Sequence, residues 1–225
     1  MTGGRSWRET EDDEQPRRFA SMQETTDLVA GMCSALLSAC PLSPRADVFS
    51  PRFVLTVADP HLPDVPLIAV SDGFCELTGY ARDDVLSKNC RFMNDGCEVK
   101  DSVRTAMRIA ATTGGHTCVV VPNCKMDGST FANRLELRGL ALGRLASGAE
   151  RFLVIGVQAD VSEFGMEVPQ AHDHQLSRIT SMICRNLTLE TLMKAAPGSK
   201  LDADLIERYS DIRWMTEEVE VLQAE

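Results

Sequence analysis

The chain has 225 residues, with 23 Lys and Arg against 33 Asp and Glu, a net charge of −10 at pH 7, and 44% hydrophobic residues. That is enough apolar material for one medium domain with extensions, and the acidic balance argues against nucleic acid, whose phosphates need concentrated positive charge. No apolar run is long enough to span a bilayer, and the amino terminus (MTGGRSWRETEDDEQPRR) has no apolar signal core. The expectation is a soluble cytoplasmic protein with neither nucleic acid nor membrane as partner.

Residues 1–20 are polar and charged and read as a disordered tail. Over 21–48 a flanking helix and linker are expected: Met22, Leu28, Val29, Met32, Leu36 and Leu37 recur near helical spacing until Pro41 and Pro44. Phe53–Val57 is β-branched and apolar, a strand, followed by a Pro-rich loop and a second strand, Leu67–Val70. Short helical segments run from Phe74 to Leu86, and a polar loop follows Cys90. A helix starts near Asp101, with Val103, Met107 and Ala110 on one side, and Gly114-Gly115 ends it.

Thr117–Pro122 and Thr130–Leu137 flank a Met-Asp-Gly-Ser turn, a hairpin, and Phe152–Gln158 completes the sheet. Helices inserted among antiparallel strands predict an α+β domain over 49–164. The extension, 165–225, loses strand character. Leu176, Ile179 and Ile183 step by three and four, as do Ile212, Met215, Val219 and Leu222, with Pro197-Gly198 between the two helical stretches. Such narrow stripes suit packing on another surface or a partner helix.

The eight cysteines are irregularly spaced and include no C-x-x-C pair, so reduced thiols are expected and no metal site. Asn123 and Asn133 are equally far from Gly128, which predicts two amides directly opposite each other on neighbouring strands. Gln158 shares parity with Val154 and Gly156 and adds a third amide to that face. Amides side by side suit the polar edge of a planar heterocycle; turn-proximal asparagines capping their own backbone are the alternative.

The segment Asn89-Cys90-Arg91-Phe92 resembles the N-C-R-F core of the flavin-binding LOV domains, PAS-superfamily blue-light sensors found in phototropins and aureochromes. Leu62-Pro63-Asp64, Phe74, Glu76 to Tyr80, Asp127-Gly128, Phe131 and Ile155 to Gln158 also fall in family order, over about half the chain. The resemblance implies a PAS-like five-stranded antiparallel sheet with short helices enclosing a flavin, flanked by N- and C-terminal helices.

The resemblance also implies roles. Cys90 is similar to the reactive cysteine whose sulfur, after blue light excites flavin mononucleotide (FMN), bonds to ring carbon C4a until the bond breaks in the dark. Light supplies the energy, so the thiol needs no depressed pKa; an inert cysteine is the plain alternative. Arg91 and Arg108 resemble phosphate ligands, with Arg104 one turn earlier as the fallback, against a reading as solvated surface charges. Asn123 and Asn133 match the residues that bond the pyrimidine edge, Asn89 assists at the ribityl chain or loop backbone, and Gln158 resembles the glutamine whose amide flips to relay the signal. Val54, Phe74, Met93, Leu135 and Leu137 would wall the ring, and plain core packing explains them equally well.

The family usually has Gly, Leu and Gln where this chain has Ser87, Met93 and Asn94; the shorter Asn94 has reduced reach toward the ring. Val65 replaces a frequent polar residue and Ala132 a bulky aromatic. The implied function is a non-enzymatic blue-light photoreceptor that changes the docking of its flanking helices or its dimerisation, as a homodimer acting on an unidentified signalling partner. The alternative is a light-independent flavin-binding PAS redox or ligand sensor. A flavin oxidoreductase is disfavoured, since no G-x-G-x-x-G loop is present.

Overall fold

A computed structural model describes residues 53–144, 148–186 and 213–215. The tail over 1–20, the helix and linker expected over 21–48, and nearly all of the second C-terminal helical stretch lie outside the described residues.

In chain order the elements are β1 (Phe53–Ala58), β2 (Leu67–Val70), α1 (Asp72–Thr78), α2 (Arg82–Val85), a 3-10 turn (Cys90–Asn94), α3 (Asp101–Thr113), β3 (Thr117–Cys124), β4 (Thr130–Arg144), β5 (Glu150–Asp160), a second 3-10 turn (Ser162–Phe164) and α4 (Gln170–Asn186). The sheet is antiparallel with strand order β2-β1-β5-β4-β3. β1 and β2, β3 and β4, and β4 and β5 pair as sequence neighbours, β2 and β3 lie at opposite edges of the sheet with the helices between them in the chain, and β5 also pairs β1.

Local chemistry sets the helix ends. Ser71 caps α1, its Oγ accepting from Phe74 N at 3.3 Å and also from Leu55 N on β1 at 3.1 Å. Gly79 and Gly114 close α1 and α3 in the left-handed region, at φ 76° and 75°.

β4 and β5 run longer than expected from Thr130–Leu137 and Phe152–Gln158: their ladder continues to Arg144↔Glu150. Glycines at 139 and 143 hid the extension. Gly139 is needed in the strand because a Cβ there would lie 2.2 Å from Gly114 O, and the two residues are joined by a 3.0 Å backbone hydrogen bond.

The strand registers divide the sheet into two faces. On the inner face lie Val54 and Thr56 of β1, Gly156 and Gln158 of β5, Leu135 and Leu137 of β4, and Val119 and Val121 of β3. Helices α1 and α2 and the Cys90 turn cover one part of it through Val54, Leu67, Val70, Phe74, Val85 and Met93. α3 covers another, with Val103 and Met107 packed against Val99, Val119, Val121 and Leu135.

α4 packs on the outer face: its Leu176 meets Ala132, Ala159 and Val161. Leu176, the first residue of the expected stripe, thus finds its surface on the chain's own sheet. Arg134, buried in that face, donates to Asp173 at 2.6 Å and Ser177 at 2.7 Å on the helix, and pairs with buried Glu136 at 3.2 Å.

The second C-terminal stripe is corrected in its described part. Arg213–Trp214 form a short strand, β6, paired with Leu140 and Ala141 of β4. β4 outruns β3, whose ladder ends at Thr117↔Leu137, so unpaired backbone groups are left for an extended segment to satisfy. Met215 N donates to Gly139 O at 2.9 Å.

Candidate functional site

Between the inner face, the Cys90 turn and α3 lies a cavity of about 590 Å³. Its wall holds Asn89, Cys90, Arg91, Met93 and Asn94 from one side, Arg104 and Arg108 from α3, and Asn123, Leu135, Leu137 and Gln158 from the sheet. Eleven sequence-selected positions, Arg104 among them, therefore meet around one space.

The turn that presents Cys90 is built by Asn89. Its Oδ1 accepts from Arg91 N at 2.9 Å, and its Nδ2 donates to Asp64 O at 2.6 Å, tying the turn to the Pro-rich loop. The Arg91 guanidinium forms an ion pair with the Asp64 carboxylate. Burial pushes the Cys90 thiol up to about 11, and the neighbouring Arg91 charge offsets only part of that shift. At neutral pH the sulfur carries its proton.

The amides form one hydrogen-bonded row. Asn123 Nδ2 donates to Asn94 Oδ1 at 2.7 Å; Asn133 Nδ2 donates to Asn123 Oδ1 at 2.7 Å and to Gln158 Oε1 at 2.9 Å; Gln158 Nε2 donates to Thr56 Oγ1 at 3.3 Å. Asn94, despite its short side chain, thus reaches the sheet. Asn123, Asn133 and Gln158 are buried, and Asn133 Oδ1 finds no partner among the described residues.

The expected register of the asparagines is corrected. Asn123 lies opposite Phe131, and Asn133 opposite Val121. The hairpin is centred on Asp127, because Gly128, at φ 83°, closes a three-residue loop between Lys125 and Ser129. The two asparagines are diagonal neighbours rather than direct partners, and the two-residue offset keeps them on one face.

Val54, Phe74 and Asn133 do not form part of the cavity wall. Val54 and Phe74 are fully buried in the apolar cluster behind Met93, and Asn133 is buried alongside Asn123 and Gln158. Thr56, Ala58, Val121 and Gly156 line the wall and were missed. Strand parity with Val54 or Gln158 would have found three of the four.

At the other end of the cavity stand the arginines. Arg104 Nε donates to Val99 O at 3.2 Å, while the Arg108 guanidinium makes no hydrogen bond or ion pair among the described residues. Both share a face of α3 by their four-residue spacing, so the preferred residue and its fallback project to the same space. Among the described residues no cluster of acidic, His or Cys side chains could hold a metal ion, and no helix is long and apolar enough to cross a membrane.

No family model matches the chain. It is 38% identical to Protein TWIN LOV 1 of Arabidopsis thaliana over 120 residues, 52% of this chain and 28% of that protein. It is 32% identical to the LOV domain of the blue-light photoreceptor Aureochrome1, covering 57% of this chain and 91% of that one, with a TM-score of 0.43. The EL346 blue-light activated histidine kinase of Erythrobacter litoralis matches with a TM-score of 0.52 at 27% identity, over 64% of this chain and 42% of that one. The chain thus spans under a third of the plant protein and under half of the kinase. With 32% identity over 91% of the Aureochrome1 LOV domain, the chain belongs to the light-oxygen-voltage (LOV) family of the PAS superfamily.

Proposed function

We propose that this chain is a blue-light photoreceptor, not an enzyme, that holds FMN in the cavity behind Cys90. The observation that carries the reading is a protonated thiol and a row of buried amides on the wall of one cavity, with arginines at its far end.

The residues present fit that group. The cavity is of the size that takes a cofactor, and most of its wall is apolar. Gly156 lies on the wall, and a Cβ there would crowd Thr56, Leu135 and Leu137, which line the same space. Asn133 Oδ1 is an unused buried acceptor, costly unless a donor reaches it.

When bound, the flavin would supply absorption of blue light and a ring able to react reversibly with a thiol, and Cys90 on the cavity wall would offer that thiol. The chain's own residues do the rest. The Cys90 turn, fixed by Asn89, delivers sulfur and proton together because burial keeps the thiol protonated. Arg91, Arg104 and Arg108 offer guanidinium donors suited to a terminal phosphate. Asn94, Asn123 and Gln158 offer amide donors and acceptors from the wall, Asn133 holds Asn123 and Gln158 in place, and Met93, Leu135 and Leu137 exclude water.

Gln158 is placed to pass the event on. It lies on β5, between β1 and β4, and its neighbour Ala159 touches Leu176 of α4 through the outer-face cluster. A turn of its amide on the inner face is one residue from the surface on which α4 docks. The output is a change in docking of α4 and the other flanking segment, or pairing with a second copy through them.

The test is the absorbance spectrum of the full chain with FMN, in the dark and under blue light. The wild type bleaches reversibly, while Cys90→Ala keeps the colour and loses the bleaching. A coloured wild type indifferent to light would end the reading and leave the light-independent sensor.

A further inference from the structure

The hydroxyl of Thr56 belongs to no role assigned so far. Thr56 is buried on β1, opposite Gly156, and its Oγ1 accepts from Gln158 Nε2 at 3.3 Å while donating to Gly156 O at 3.5 Å. Gly156 makes the seat, because any Cβ there would collide with that hydroxyl. The other side of the Gln158 amide is held by Asn133 Nδ2 on Oε1.

The two holders respond differently to a reversal of the Gln158 amide. Asn133 presents a donor, so after reversal two NH₂ groups would face each other unless Asn133 also turned and offered its unused Oδ1. A hydroxyl both donates and accepts, so Thr56 needs only to rotate its O–H. We infer that Thr56 is the positioning residue of Gln158, accepting from its NH₂ in one orientation and donating to its carbonyl in the other. This rests on the reading of Gln158 as a relay. Thr56 then holds the amide in either state, whereas Asn133 favours one.

The test uses the full chain with FMN and ¹⁵N-labelled glutamine. Gln158 is one of six glutamines, so its side-chain NH₂ signals are identified by their loss in Gln158→Leu. In dark protein, Thr56→Val, which keeps the shape and removes the hydroxyl, shifts those signals, and Thr56→Ser returns them. Decay of the lit state changes by about fivefold in Thr56→Val, the weight of one neutral hydrogen bond, and is restored in Thr56→Ser. If valine leaves the amide signals in place, or if valine and serine move them alike, the role of Thr56 is refuted. Should valine prevent folding, Thr56→Ala against Thr56→Ser makes the same comparison. A wild type that never bleaches defeats the photoreceptor reading alone, because the dark amide signals still decide Thr56.

Discussion

Leu176→Ala tests whether α4 is a separable unit held to the sheet by apolar contact. Leu176 is 5% exposed and packs on Ala132, Ala159 and Val161, with Val168 and Phe164 beside it. The substitution removes three carbons, which at about 0.8 kcal/mol each gives about 2.4 kcal/mol; the site is a helix edge that can settle, so no cavity cost is added. The docked fraction then falls relative to the undocked by about fiftyfold. Asp173→Asn has a smaller effect, about 1 kcal/mol or less. Its carboxylate is 41% exposed and screened, and Arg134 keeps Glu136 and Ser177 as partners. The assay is backbone hydrogen exchange read by mass spectrometry, comparing peptides from 170–186 with peptides from β4 and β5. Leu176→Ala speeds exchange in the helix and leaves the strands protected. Equal acceleration in helix and strands would refute the idea of separate docking, and so would an unchanged helix.

Three loop residues with side chains, Asp64, Val65 and Ser87, have positive φ, and at two of them a change relieves strain. Val65 sits at φ 49° and Ser87 at φ 66°, in the left-handed region that a β-branched residue rarely enters. Val65→Asn and Ser87→Gly each stabilise the domain by about 1 kcal/mol in urea unfolding, and a loss of stability in both would overturn the strain argument. Acid should unfold the outer face through Glu136. Burial raises its pKa, but hydrogen bonds from His116 and Arg138, with the Arg138 and Arg134 charges, outweigh that and hold it at about 2, against 4.5 when unfolded. Because the folded pKa is the lower one, the stabilisation is full above about pH 4.5 and is lost as pH falls towards 2. Glu136→Gln flattens the stability profile in that window, as measured by thermal melts across pH.

The linear chain was enough to identify most of the elements of the domain and the family resemblance. Alternation over 117–122 and 130–137, the glycine after α3 and the N-C-R-F segment are local features, readable because period, cap and motif each need only neighbouring residues. Gln158 could be placed on its face by strand parity for the same reason, whereas Arg108 was selected through the family resemblance. Tertiary structure decided what counting could not. A turn's loop length fixes strand register, and Gly128 moved the hairpin centre by one residue, making Asn123 and Asn133 diagonal. Val54 and Thr56 have the same parity, yet only Thr56 reaches the cavity, since Phe74 and Met93 fill the space over Val54. Charged Arg134 and Glu136 lie buried in a strand because α4 returns to cover them, and Arg213–Trp214 became a strand because β4 outruns β3. In each case the deciding partner is far away in sequence, and burial and backbone pairing are settled by what packs across a gap rather than by what comes next in the chain.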